Sequence, residues 1–307
     1  MSHSDYRMIR AYAQLVRLPN VFTALADICL GALAAGTLAV RWPAFGLLLL
    51  ASACLYCGGM VWNDYFDLEQ DRRERPFRPL PSGRITPRAA ARFGTALLAG
   101  GVLFALLAGW VLAGGSSIRW GPVVLAGLLV GAILLYDGWL KRTWAGPLGM
   151  GACRFLNVLL GLTLADNLGG PGGVHLALVV GLYIVGVTWF ARTEARLSSQ
   201  RALAGAAALM LASLLLALPL PARLEPGTSS PLFPYLLVVL GFVVGLPVYR
   251  AIIGPTPPRV QAAVKRALIG LVVLDATLAT ALAGAVGLVI LVLLLPVLYL
   301  GRWIYQT

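Results

Sequence analysis

Residues 44–62, AFGLLLLASACLYCGGMVW, contain no charged side chain and run directly into residues 63–84, NDYFDLEQDRRERPFRPLPSGR, which carry ten. As a helix the first stretch would be about 28 Å long, close to the hydrocarbon thickness of a bilayer. The second is too polar to enter lipid. A membrane helix that ends in a charged loop is thus the unit from which the rest of the chain is read.

Outward from that unit, comparable apolar runs occur at 20–40, 93–114, 119–137, 146–165, 174–191, 202–220, 232–250, 267–283 and 286–303. The 307 residues are 59% hydrophobic and 12% charged, whereas soluble domains carry about a quarter charged residues. The expected fold is all-α, a polytopic transmembrane helix bundle of nine or ten helices. The count turns on the C-terminal block: one helix over 267–303 would be about 55 Å long, too long for one crossing. Gly284 and Gly287 predict a tight hairpin there, and hence ten. The connections are short, so residues 1–307 read as a single integral membrane domain. The first 17 residues carry Arg7, Arg10 and Arg17 without an apolar run. The first span is therefore expected to act as its own insertion signal, without a cleaved leader.

A net charge of +12 raises the question of nucleic acid. With alternating spans, one side collects Arg7, Arg10, Arg17, the 72–92 cluster, Lys141, Arg142, Arg192, Arg196, Arg201, Arg250, Arg259, Lys265, Arg266 and Arg302. The other holds Arg41, Arg119 and Arg223, and Arg154 falls within a span. This is the positive-inside pattern. It reads as topology and argues against nucleic-acid binding. A multi-pass protein of the inner (plasma) membrane is expected, with a cytoplasmic N-terminus and with loops 63–92, 136–146, 190–201 and 249–266 in the cytoplasm. The tryptophans lie near span ends, as in an interfacial aromatic belt. Cys54 and Cys57 form a CxxC inside a span with no second pair, which favours packing over redox or zinc chemistry. With only His3 and His175, histidine metal sites are excluded.

The chemistry concentrates in loop 63–92. Five of the twelve acidic residues, Asp64, Asp67, Glu69, Asp71 and Glu74, stand in its first twelve positions. Asn63, Asp67 and Asp71 are spaced by four, so a continuing helix would set them along one groove, about 6 Å apart. Two carboxylates at that separation repel by about 3 kcal/mol at an effective dielectric near 20. A hard cation relieves this, and oxygen-only donors suit magnesium, which completes its shell with phosphate and water. The plainer alternative is a solvated acidic helix end paired with Arg72, Arg73 and Arg75. Arg72, Arg75, Arg78 and Arg84 follow the acids, and arginine suits bidentate phosphate recognition.

The run N63-D-x-x-D67-x-x-x-D71-R followed by R78-P-L-P-S-G-R84 resembles the first signature of the UbiA family of membrane prenyltransferases. The likeness extends over most of the chain in span order, including a Tyr/Lys element, here Tyr136 with Lys141-Arg142. The stretches GMGACRFLN, ARTEAR and GRWIYQT resemble more narrowly the EboC-type branch. The resemblance implies a cavity open sideways to lipid, with two acid-rich cytoplasmic loops facing each other over it. It implies magnesium-dependent transfer of an isoprenyl group from a prenyl diphosphate to an aromatic or other lipophilic acceptor in the bilayer. Asn63, Asp67 and Asp71, with Asp64 beside them, match the metal ligands; Arg72, Arg78 and Lys141 match diphosphate-binding positions.

The second acidic motif of the family would fall within 188–200, where TWFARTEARLSSQ offers only Glu194. Arg192 and Arg196, four apart, are candidates to supply positive charge in place of a second metal. The Tyr/Lys spacing is also one residue longer than usual, with Asp137 inserted. This departure keeps open a non-catalytic isoprenoid-lipid binding or transport protein. Asp27, Arg154 and Asp275 sit at membrane depth, where ionisable residues face a bundle interior or a cavity. Asp27 reads either as an acceptor contact, with Asn20, Tyr136, Asp137 and Asn157 as further cavity candidates, or as a structural partner of Arg154.

Overall fold

The computed structural model describes residues 3–192, 198–223 and 229–302, and no strand occurs among them. The α-helices are α1 (His3–Leu15), α2 (Leu18–Ala34), α3 (Trp42–Phe66), α4 (Leu68–Glu74), α5 (Pro87–Leu112), α6 (Gly121–Gly138), α7 (Gly146–Leu162), α8 (Gly170–Ala191), α9 (Gln200–Ala217), α10 (Phe233–Ile253), α11 (Pro257–Ala283) and α12 (Leu294–Leu300). Short 3-10 turns cover Leu140–Arg142 and Pro221–Arg223, and a longer 3-10 segment covers Gly284–Leu293. Prolines sit in the first turn of α2, α3, α5, α6, α7, α8, α10 and α11, where a missing N–H costs nothing. They start the spans. Pro247 lies inside one. Thr86 caps α5, its hydroxyl accepting from the Ala89 N–H.

Each expected span has a helical counterpart, from α2 to the last apolar segment. Among the described residues, seven stretches are long and apolar enough to cross a membrane on their own, with Pro257–Leu300 taken as one of 44 residues. That stretch is not one straight rod. Gly284 has φ +63°, and a Cβ on Gly287 would stand 2.5 Å from the Ala279 carbonyl carbon. In a continuous helix, residues eight apart are about 12 Å apart. The chain doubles back at Gly284, as the two glycines predict.

The element absent from the sequence reading is α1. Met8, Ala11, Tyr12 and Leu15 recur at helical spacing between the arginines, so a segment without an apolar run is still amphipathic. Ala11 and Leu15 are buried, and Tyr12 meets Phe93 edge-to-face at 5.1 Å. The N-terminal helix thereby lies over the ends of α3 and α5 that carry the charged loop.

Helix α2 packs against α3, α7 and α11. Between lipid-exposed helices no hydrophobic force draws apolar faces together, so close backbone approach through small residues does the packing. A Cβ at Gly31 would stand 2.6 Å from the Val158 carbonyl oxygen, and one at Gly161 2.7 Å from that of Ile28. Glycine at both positions lets α2 and α7 touch backbone to backbone. At the end opposite the charged loop, Arg41 and Arg119 both pair with Asp166, at 3.2 and 2.8 Å. Arg41 also donates to the Leu164 carbonyl and Arg119 to that of Ala165. Two of the few basic residues of that side are thus held by one carboxylate.

Candidate functional site

Helix α3 does not continue as one rod through the acidic run. It ends at Phe66, and α4 restarts at Leu68, with Asp67 at the junction (φ −94°, ψ 4°). Backbone hydrogen bonds still bridge it: the Asp67 N–H donates to Asn63 and the Asp71 N–H to Asp67. The altered turn divides the side chains that the sequence places in one groove.

One set gathers where α3 meets the end of α6. The Asn63 amide donates to Asp137 Oδ1 at 2.8 Å. Lys141 Nζ stands 2.7 Å from Asp67 Oδ1 and 3.5 Å from the Asn63 carbonyl oxygen. Arg142 donates to the Phe66 carbonyl, tying the 140–142 turn to the end of α3. The longer Tyr/Lys spacing is absorbed here. The chain leaves the α-helix after Gly138 and takes a 3-10 turn, so the helical pitch no longer governs where Lys141 arrives.

The other set lies on the α1 side. Arg78 is buried and donates to Asp71 Oδ2 at 2.6 Å, with Asp64 Oδ1 at 3.6 Å. Arg17 reaches Asp64 from the α1–α2 junction at 3.0 Å. It does so from a left-handed backbone conformation (φ 48°, ψ 51°), which costs about 1 kcal/mol or more in a non-glycine residue. The sequence reading counted Arg17 only as a topology charge; no spacing links it to Asp64, 47 positions away. A small pocket beside Asp64 is lined by Arg17, Arg78 and Arg84, so three guanidinium groups converge there. Arg72 points elsewhere. It is half exposed and pairs with Glu69 on the outer face of α4.

Below the first set a cavity of about 70 Å³ opens between α2, α3, α6 and α7. Tyr136 and Asp137 line its upper end; Met60, Leu129, Ile133 and Met150 make its apolar wall; Ser52, Tyr56, Arg154 and Asn157 line the rest. Asp27, fully buried, accepts from Arg154 at 3.1 Å and Asn157 at 2.9 Å. The Arg154 partnership foreseen for Asp27 is therefore present. Arg154 also donates to Thr23, and Ser52 donates to Asn157. Asn20 lies above this network and accepts from Thr23 through its backbone oxygen. Thr23 and Ser52 carried no sequence signal, being ordinary small residues within spans.

Across the mouth, Arg192 at the end of α8 donates to the Thr143 and Trp144 carbonyls at 2.8 and 3.3 Å. It braces the loop that carries Lys141. Glu194 and Arg196 lie outside the described residues.

Asn63, Asp64, Asp67 and Asp71 offer hard oxygen donors, the kind magnesium takes. Among the described residues no three His, Cys, Asp or Glu side chains form a group able to hold a metal ion. Asp64, Asp67 and Asp71 are each matched instead by Lys141, Arg17 or Arg78. The donor set fits magnesium in kind but forms no ready cage, as expected of an ion that arrives with phosphate oxygens.

A helical membrane bundle with an acid-rich, arginine-rich mouth over a buried cavity is the class of protein that this geometry defines. Residues 24–260 match the model of the UbiA prenyltransferase family, and the chain belongs to that family. It is 37% identical over 129 residues to the digeranylgeranylglyceryl phosphate synthase of Sulfolobus acidocaldarius, covering 42% of each chain. It is 41% identical over 95 residues to the enzyme of that name from Methanopyrus kandleri, covering 31% of this chain and 34% of the relative. The matches thus span less than half the length of these curated relatives. Among solved structures, one of a digeranylgeranylglyceryl phosphate synthase superposes with a TM-score of 0.66 at 21% identity, covering 91% of this chain and 99% of the other. A UbiA homologue from Aeropyrum pernix gives 0.61 at 21% identity over 84% and 96%. One from Archaeoglobus fulgidus, bound to GPP and Mg2+, gives 0.51 at 16% identity over 85% and 99%. These likenesses establish the fold.

Proposed function

We propose that the chain transfers an isoprenyl group from a prenyl diphosphate to a lipophilic acceptor within the membrane. The observation that carries this reading is the mouth of the cavity. Asn63, Asp67, Asp137 and Lys141 meet there, directly above an apolar wall, with Arg17, Arg78 and Arg84 alongside. A diphosphate head fits the charged mouth and an isoprenyl tail the wall below. The bond between C1 and the bridging oxygen breaks, the acceptor attacks C1, and its proton is released with the diphosphate.

Within this proposal Asn63, Asp64, Asp67 and Asp71 would hold magnesium, which when bound would offset the charge growing on the leaving diphosphate. Lys141 moves from Asp67 to the phosphate oxygens, and Arg78 exchanges part of its pairing with Asp71 for the same group. The Archaeoglobus fulgidus homologue, bound to GPP and Mg2+, supports magnesium as the ion. Arg192, with Arg196 of the same stretch, adds positive charge where the sequence offers only Glu194 as an acid. Arg72, turned outward onto Glu69, has the smaller part. We further infer that the basic side faces the cytoplasm, with one membrane domain beneath it. The relatives named above give no support to the narrower EboC-type resemblance, and nothing in the proposal depends on it.

Purified protein in lipid nanodiscs, given geranyl, farnesyl and longer isoprenyl diphosphates with a membrane-lipid extract, should release pyrophosphate only with magnesium. Tight magnesium-dependent binding without release in any arm would favour the non-catalytic lipid-binding reading.

A further inference from the structure

We infer that Asp137 is a positioning residue that turns the side-chain oxygen of Asn63 toward the magnesium ion. The inference rests on the transferase reading above and adds to it a group behind the ligands. Asp137 stands one residue before the end of α6 and is 3% exposed. Among the described residues no cation pairs with it. Lys141, on the turn that follows, reaches Asp67 instead. A carboxylate held away from water without an ion pair is costly, so packing gives no reason for an acid at this position. Its hydrogen bond does: Oδ1 accepts from the Asn63 amide at 2.8 Å, across 74 positions of the chain.

The direction of that bond decides what Asn63 can do. A side-chain amide has an oxygen that accepts and an NH2 that donates, nearly alike in shape. Only the oxygen can face a cation. With the NH2 end donating to Asp137, the oxygen is the end left over, and no hydrogen bond reaches it among the described residues. The backbone beneath is fixed as well. The Asp67 N–H donates to the Asn63 carbonyl, and Lys141 Nζ lies 3.5 Å from the same oxygen. Asn63 therefore reaches the mouth with its amide in one orientation. A carboxylate behind a ligand also raises that ligand's basicity, as carboxylates do behind metal-bound histidines.

The position of Asp137 fits the composition of the rest of the mouth. The stretch 188–200 offers only Glu194 as an acid, so binding of the ion falls more heavily on Asn63, Asp64, Asp67 and Asp71. Asn63 is the one neutral donor among them. It is also the one with a carboxylate behind it, whereas Asp64, Asp67 and Asp71 each face a cation.

The test reads metal affinity rather than turnover. Protein in nanodiscs, saturated with the unreactive analogue geranyl S-thiolodiphosphate, is titrated with Mn2+, and the free ion is counted by electron paramagnetic resonance. Asp137→Asn can turn either end of its amide to Asn63 and should weaken Mn2+ binding about tenfold, the low end for losing such a partner. Asn63→Ala removes the ligand, and in that background Asp137→Asn should cause no further loss. The exchange Asn63→Asp with Asp137→Asn reverses the hydrogen bond, the amide at 137 donating to the carboxylate at 63, and should recover at least the wild-type affinity. Unchanged affinity in Asp137→Asn overturns the inference. So does a further loss of similar size in the Asn63→Ala background, which would make Asp137 a ligand itself. An exchange variant that melts like the wild type yet stays weak does the same. If the wild type holds the analogue but binds no Mn2+, the magnesium-dependent transferase reading falls, and this inference with it.

Discussion

The two ends of the bundle carry the same chemistry in different surroundings. At the basic end Asp64 and Asp71 meet Arg17 and Arg78, with Asp64, Asp71 and Arg78 all at most 7% exposed. At the opposite end Asp166 meets Arg41 and Arg119 with its side chain 79% exposed. Water screens the second knot, so its charges hold loops together at little gain or loss. In the first, removing either partner strands a charge away from water. A cluster of that kind is stable as long as its charges match, and it can exchange one counter-ion for another. The exchange of arginine for a metal–diphosphate complex, as proposed, would be such a change.

The sharpest way to break this comparison is Asp67→Asn. Pyrophosphate release should fall at least about 100-fold, the scale of losing one electrostatic stabiliser of a transition state. Asp166→Asn should leave release unchanged; equal losses in both variants would mean that neither end is the site. Next in size is Arg78→Ala, which leaves Asp71 without its partner. Stability in detergent should drop by about 3–5 kcal/mol, the usual result of breaking one side of a buried pair. Arg41→Ala, measured in the same denaturation assay, should change little.

Arg192→Ala sharpens the comparison at the mouth itself. Loss of its two bonds to Thr143 and Trp144 loosens the turn that presents Lys141. KM for the diphosphate should rise about fivefold, near the worth of one hydrogen bond, while the magnesium requirement moves much less. Equal shifts in both would remove Arg192 from a charge-supplying role. The smallest effect belongs to Asp166. The Arg41 guanidinium that hydrogen-bonds it, with the charges of Arg41 and Arg119, holds its carboxyl below the ordinary 3.8. A depressed folded value contributes stability that is complete above 3.8 and lost as pH falls through the folded value. Melting curves of wild type and Asp166→Asn should therefore differ slightly at pH 7 and 5 and converge below pH 4. A gap that widened on acidification would contradict the pairing.

Some of this was legible in the chain and some was not. The span order, the prolines at span starts and the Gly284 reversal follow from local pattern, because lipid forces every backbone polar group into a helix of readable length. The acids of loop 63–92 were equally visible as a cluster. Their division into an Asp67–Lys141 set and an Asp64–Asp71–Arg78 set was not, since it hangs on the non-helical turn at Asp67 and on Arg17, supplied by a helix hidden among arginines. Asn157 and Asp137 were in view as polar residues in apolar spans; Thr23 and Ser52, equally engaged, were not.

The sequence by itself determined the helical class, the order of the apolar segments and the family, because each depends on composition and spacing along one dimension. Only the tertiary structure decided which carboxylate faces which cation. It also decided that Asp27 and Arg154, on two different helices, pair beside one cavity. Those pairings join residues from seven to more than a hundred positions apart. The Asp27–Arg154 pair sits on α2 and α7, whose backbone approach Gly31 and Gly161 permit, a contact that no periodicity along the chain encodes.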